Sequence, residues 1–236
     1  MEITVARTFN TLYIYLDIVW LIIFALILVW RKRYLAFIVG LIGGIIYFAV
    51  DYGIFYLILN TRVISGADQF WFLLWLSMSY GFTNFAWIWL LLDRDGRAVE
   101  WSLIPIMGWV AVAALSQNFG TDFPEISICR GTIGYHGIMA VILVAGFLYL
   151  IIHNLRALPN DKVNILRLLA IGIGVQFSWE FVLLISGIRP AGFMPLIVNS
   201  LIETNLGMPY LYMIHKAVSS RFNENLKPDR QSESNG

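Results

Sequence analysis

The 236-residue chain is 59% hydrophobic and only 13% charged, with a mean hydropathy of +0.73. A soluble domain carries roughly 25% charged residues, so this chain lacks the polar surface to cover a soluble particle, and lipid is its expected solvent. The formal net charge of +1 says nothing about nucleic acid, but there is no long basic run and no nucleic-acid partner is expected, and the lone Cys129 excludes an intrachain disulfide or a multi-cysteine metal site.

A membrane-spanning helix needs about 20 predominantly apolar residues. Runs of that length are predicted at 11–30, 36–60, 69–92, 102–119, 132–152, 165–187 and 196–215, giving an all-α, seven-helix transmembrane bundle over residues 1–216. The first run has the length of a full span and no basic segment before it, so it reads as a helix of the bundle rather than a cleaved signal peptide. The fourth is the weakest, because Pro105 comes early and Ser116-Gln117-Asn118 closes it. The connection at 120–131, with Phe123, Pro124 and Ile126, is expected to be a surface loop, with a lid over the bundle as the alternative. Residues 217–236 are polar and read as a disordered cytoplasmic tail. No soluble domain and no internal repeat are expected.

Orientation follows from lysine and arginine. One side carries Arg31, Lys32, Arg33, Arg94, Arg97, Arg156, Lys162, Arg167, Lys216, Arg221, Lys227 and Arg230. The other carries Arg7, Arg62, Arg130 and Arg189. Twelve against four assigns the first group to the cytoplasm. The N-terminus is then outside or lumenal and the C-terminus cytoplasmic.

Four acids fall within the predicted spans: Asp17, Asp51, Glu180 and Glu203. At a rise of about 1.5 Å per residue, Asp17, Glu180 and Glu203 lie roughly 10 Å from the outer helix ends and Asp51 roughly 13 Å. His136 falls near the same level. Ionisable groups inside a membrane mark a site or pathway by default, and no lysine or arginine is expected inside a span to neutralise these four. A carboxyl buried without a countercharge tends to keep its proton, so at least one is expected to be a proton donor. Each acid has a hydrogen-bonding residue four positions earlier (Tyr13, Tyr47, Gln176 and Asn199), on the same helix face.

The structural alternatives differ residue by residue. Asp17 reads as reaching interfacial water, and Glu180, next to Trp179, as either an interhelical hydrogen bond or a site residue. Asp51 and Glu203 read as functional. Asn84 and Asn205 read as interhelical polar contacts. Tyr47, Tyr52, Trp75 and Trp179 are candidate cage residues whose ring faces would stabilise a cation, with Asn199 and His136 as further substrate contacts. Gly40 and Gly44 permit close packing of the second helix, and Pro209 is expected to bend the seventh.

The second helix carries Tyr47 and then Phe48-Ala49-Val50-Asp51 followed by aromatics. This resembles the membrane-bound terpene cyclases of fungal meroterpenoid and indole-diterpene pathways, small seven-span proteins with an Asn-Phe-Ala-Trp-Glu stretch at the corresponding place. The last-helix carboxylate of that family corresponds to Glu203 in Ile202-Glu203-Thr204-Asn205. The sequence departs from the pattern at Tyr47, Val50 and Asp51, and in having Glu where the last-helix acid is Asp. The resemblance implies a metal-independent, cofactor-free enzyme that protonates a prenyl or epoxyprenyl chain and guides its cyclisation, a lyase or isomerase type of reaction. Asp51 would be the proton donor, Glu203 its partner and Glu180 an assistant. The expected partners are membrane lipid and a hydrophobic small molecule, in the plasma membrane or endoplasmic reticulum. A small-molecule or proton-coupled transporter using the same acids, or a non-catalytic membrane subunit, are the alternatives.

Overall fold

A computed structural model of the chain describes residues 4–94, 96–131 and 135–225, and at 4, 136, 160, 193–195, 203 and 222–225 it describes the backbone alone. Seven long helices form the molecule: α1 (Thr11–Trp30), α2 (Tyr34–Phe48), α3 (Gln69–Leu92), α4 (Ala98–Phe119), α5 (His136–Arg156), α6 (Ile165–Ile185) and α7 (Phe193–Asn225). Among the described residues, five helices are long and apolar enough to cross a membrane: α1, α2 with its extension to Ile58, α4, α5 and α6. The chain is a membrane protein. The fourth run, expected to be the weakest, is among the five despite Pro105 within it.

Two helices are absent from that group for a physical reason. α3 carries four Trp, two Ser, Tyr80 and Asn84 and is buried along nearly its whole length from Phe72 to Leu92, so protein rather than lipid is its solvent. α7 carries Asn199, Glu203 and Asn205 and ends in a polar turn. It also continues through 217–225, which the sequence suggested would be unstructured. Residues 226–236 of that predicted tail lie outside the described residues.

The all-α expectation is corrected by a small antiparallel sheet at one end of the bundle. Its strands are β1 (Thr4–Asn10), β2 (Arg62–Ser65) and β3 (Glu125–Arg130), in the order β1-β3-β2. The connection expected to be a loop is therefore the central strand. Ile126 and Ile128 alternate with Ser127 and Cys129, which suits one buried and one outward face. Gly66, just after β2, has a positive φ of 91°, and a Cβ there would lie 2.4 Å from the Glu125 carbonyl oxygen, so only glycine closes this turn. Phe9, Ile64, Ile126 and Ile128 are all buried and face the bundle.

α2 and α3 make the most extensive helix pair, with α6 and α7 next. Gly40, Gly43 and Gly44 carry the first contact: a Cβ at any of them would collide with Phe82, Phe85 or Met78. From Ala49 to Ile58 the second helix widens into a π-helix, where hydrogen bonds close on the fifth residue back, as from Leu59 N–H to the Ile54 carbonyl at 2.9 Å. Residues four apart then nearly overlie one another, and Phe48, Tyr52 and Tyr56 form a continuous stack with ring centroids 5.2 and 5.4 Å apart.

Candidate functional site

Three arginines enter the bundle from one face of the sheet. Arg62 of β2 stands directly opposite Arg130 of β3. Facing like charges destabilise a strand pair, and here Asp51 of the π-helix sits between them. Arg62 donates from Nε and Nη2 to Asp51 Oδ1 at 3.0 and 2.7 Å, and Arg130 Nη2 reaches Oδ2 at 3.4 Å. The Arg62 guanidinium also lies 4.4 Å from the centroid of the Phe55 ring.

Arg7 reaches the same face through a β-bulge. Between Val5 and Arg7 the register slips, so that Val5 pairs with Cys129 and Arg7 with Ile128. In an unbulged strand of this sequence Arg7, two residues after Val5, would share its outward face, because side chains alternate along a strand. Instead it is buried and donates from Nη2 to Glu180 Oε1 at 3.0 Å. Arg189, from the α6–α7 connection, pairs with Glu180 Oε2. Asn199 and Gln176 also donate to Oε1, at 3.2 and 3.3 Å. Gln176 bonds to the Tyr80 hydroxyl and accepts from Thr204 Oγ1.

The four arginines counted on the less basic side thus all turn inward onto two of the predicted acids. The expectation of acids without a countercharge is overturned at Asp51 and Glu180: both oxygens of each accept from guanidinium groups. Asp17, expected at interfacial water, is fully buried in α1 and accepts from the Trp75 indole N–H at 3.0 Å. The side chains of Glu203 and His136 lie outside the described residues. Of the four i, i+4 partners, Gln176 bonds to its acid, and Asn199 bonds to Glu180.

The two clusters also reveal a repeat that the sequence alone did not disclose. Phe48-Ala49-Val50-Asp51-Tyr52 of the second helix corresponds to Phe177-Ser178-Trp179-Glu180-Phe181 of α6. Gly43 and Gly172 each precede the acid by eight residues, and Thr83-Asn84 of α3 corresponds to Thr204-Asn205 of α7. Each half runs strand, helix, acid-bearing helix, arginine, helix: β1, α1, α2, Arg62, α3 and then β3, α5, α6, Arg189, α7, with α4 between. The strand arginines are exchanged, Arg7 of the first half serving Glu180 of the second and Arg130 of the second serving Asp51 of the first. The match is confined to short stretches separated by connections of unequal length, which hides it from a linear scan.

Beside the Asp51 cluster a cavity of about 300 Å³ runs between α2, α3, α5 and α7. Asp51, Arg62 and Arg130 mark its sheet end, and Tyr47, Phe55, Tyr80 and Phe85 supply ring surface to its wall. Ile46, Val50, Ile142 and Tyr210 also line it and are exposed on the outside of the bundle. The cavity therefore opens sideways, between α2 and the α5–α7 pair. Tyr47 is a predicted substrate contact on this wall. Tyr52 stacks in the aromatic column, Trp75 holds Asp17, Trp179 packs between Tyr80 and Trp109, and Asn199 holds Glu180; none of these four lines the cavity. The residues that sequence reasoning missed are Arg62 and Arg130, whose alignment on adjacent strands requires the sheet. Among the described residues no group of three His, Cys, Asp or Glu gathers as for a metal ion.

Neither a protein-family model, nor a characterised protein, nor a solved structure matches this chain. Its class, a helical membrane protein with an ion-paired lateral cavity, rests on its own fold.

Proposed function

We propose that the protein is an integral membrane enzyme of the terpene cyclase type, admitting a linear prenyl or epoxyprenyl chain from the lipid and cyclising it by proton transfer. The observation that carries this reading is the cavity: aromatic and aliphatic, open sideways to the lipid side of the bundle, with a carboxylate at one end. All seven helices would span the membrane, with the sheet outside or lumenal and the C-terminus cytoplasmic, as the twelve-to-four distribution of basic residues implies.

The arginines redistribute the roles. Asp51 accepts hydrogen bonds on both oxygens, which suits it to take the proton that ends a carbocation cascade. The initiating proton then comes from Glu203, on α7 beside the cavity-lining Thr204, the position that the resemblance assigns to the second acid. One proton is added at the epoxide or alkene and one is lost from the terminal cation, so the reaction is an isomerisation without a co-reactant. Ring faces of Tyr47, Tyr80 and Phe85 shield the cation and exclude water. Glu180 acts as a positioning residue through Gln176, which holds both Tyr80 and Thr204. Membranes containing the protein, supplied with epoxyfarnesol, are expected to yield a cyclic product of unchanged mass. Asp51→Asn and Glu203→Gln should each lower turnover by about 100-fold or more. Full activity in both variants would sink the assignment.

The repeat favours a second reading. Parallel repeats joined across a bundle occur in membrane transporters, and a small-molecule carrier would use the same cavity. Flux of unmodified ligand into proteoliposomes, abolished by Asp51→Asn, would select this reading over catalysis.

A further inference from the structure

Several serine and asparagine side chains in the other helices of this protein find partners close by. Ser102, Ser178 and Ser186 donate to carbonyls four residues back, and Asn118 does the same. Asn205, the counterpart of Asn84 in the second half, donates to the Ser200 carbonyl and packs against the Gly172 position, with only its amide oxygen unpartnered. Asn84 differs. It is 1% exposed, both its amide nitrogen and its amide oxygen lack a hydrogen-bond partner, and it lines the cavity. Ser77, two turns earlier on the same helix, is also buried, unpartnered at Oγ and on the cavity wall.

The cavity's shape limits what could meet these groups. α3 presents Leu76, Tyr80, Asn84 and Ile88 along it, a row at four-residue spacing that extends over about 18 Å at the helical rise. Spread over that length, about 300 Å³ is a slot for one hydrocarbon chain rather than a chamber. Asn84 lies eight residues beyond Leu76, or about 12 Å further from the sheet end. A buried amide with two donors and an acceptor unmet is costly, and a ligand oxygen at that height would satisfy it.

We infer that the slot binds a single-chain lipid whose polar head lies at the Asp51–Arg62–Arg130 end and whose chain carries a hydroxyl or carbonyl oxygen that pairs with Asn84. This deepens the proposed reading of the slot as a substrate site, yet it concerns binding alone and holds whether or not cyclisation follows. Asn84 is then a specificity-determining residue: a chain lacking the oxygen leaves the amide unmet and binds less tightly.

The full chain in nanodiscs of phosphatidylcholine, titrated with 12-hydroxystearate and with stearate, tests this. The wild type should prefer the hydroxylated acid by about tenfold, a magnitude typical of one buried hydrogen bond that is otherwise unmet. Asn84→Leu, similar in volume, should erase that preference while leaving stearate binding and thermal stability undiminished. Asn84→Ala serves the same comparison if the leucine variant does not fold. Equal binding of the two acids by the wild type, absence of binding, or a preference that survives in the variants would overturn the inference. Turnover that fails while the preference holds would retire the enzyme reading and leave this one standing.

Discussion

Asp51 and Glu180 are legible in the sequence as acids inside apolar runs, but their partners are not. Arg62, Arg130, Arg7 and Arg189 look like ordinary end-of-helix arginines, because a linear reading assigns each to the aqueous connection in which it lies. Long guanidinium side chains can extend inward from such connections, carrying their charge along apolar surface, and the sheet fixes three of them in place. Removing one side of a buried pair leaves uncompensated charge, which typically costs about 3–5 kcal/mol. Glu180→Leu, which strands both Arg7 and Arg189, is therefore expected to destabilise the protein by about that much, read from unfolding in detergent. The triple variant with Arg7→Met and Arg189→Met should recover most of the loss; a variant as stable as wild type with Glu180→Leu alone would show that the cluster carries little.

The decisive elements are the bulge in β1 and the α2–α3 contact. Deleting Ala6 would remove the bulge and leave Val5 opposite Cys129 and Arg7 opposite Ile128, in regular alternation with Arg7 still facing inward. The expected outcome is a retained Glu180 pairing, with a melting temperature well above that of Arg7→Met; a drop as large as that of Arg7→Met would mean that the pairing with Ile128 is not what aims Arg7. In the helix pair, a Cβ on Gly81 would lie 2.7 Å from the Gly43 carbonyl oxygen and the Gly44 Cα, both backbone atoms that cannot swing away. Gly81→Leu should thus cost more than the usual overpacking penalty of about 1–3 kcal/mol. Gly174→Leu, with open space around it, should be tolerated, and equal effects in expression and thermal melts would contradict the packing argument. The glycine pattern of α2 was readable as a close-packing signal. Its partner helix was not, since spacing within one helix says nothing about which neighbour fills the groove.

Two corresponding halves joined by α4 and locked by exchanged arginines describe the molecule as a whole. If all seven helices span, the sheet faces outside or the lumen. In a Cys129→Ser background, Asp122→Cys should react with a membrane-impermeant maleimide in intact cells or lumen-out vesicles. Glu100→Cys, at the start of α4, should react only after permeabilisation, and the reverse pattern would overturn the orientation. Both positions are exposed, so labelling reports sidedness rather than burial.

The amino-acid sequence by itself determined the solvent and the helices, because the length and apolarity of a run are local properties and a bilayer requires each run to satisfy its own backbone. It also located the acids, since a carboxylate among Phe, Ile and Val is conspicuous wherever it occurs. Only the tertiary structure decided what the acids face. The sheet joins strands from three distant parts of the chain, a one-residue bulge selects the face of Arg7, and the slot exists only where α2, α3, α5 and α7 meet. Each of these depends on register between segments far apart in the chain, and hydrophobic patterning within a segment does not encode that register.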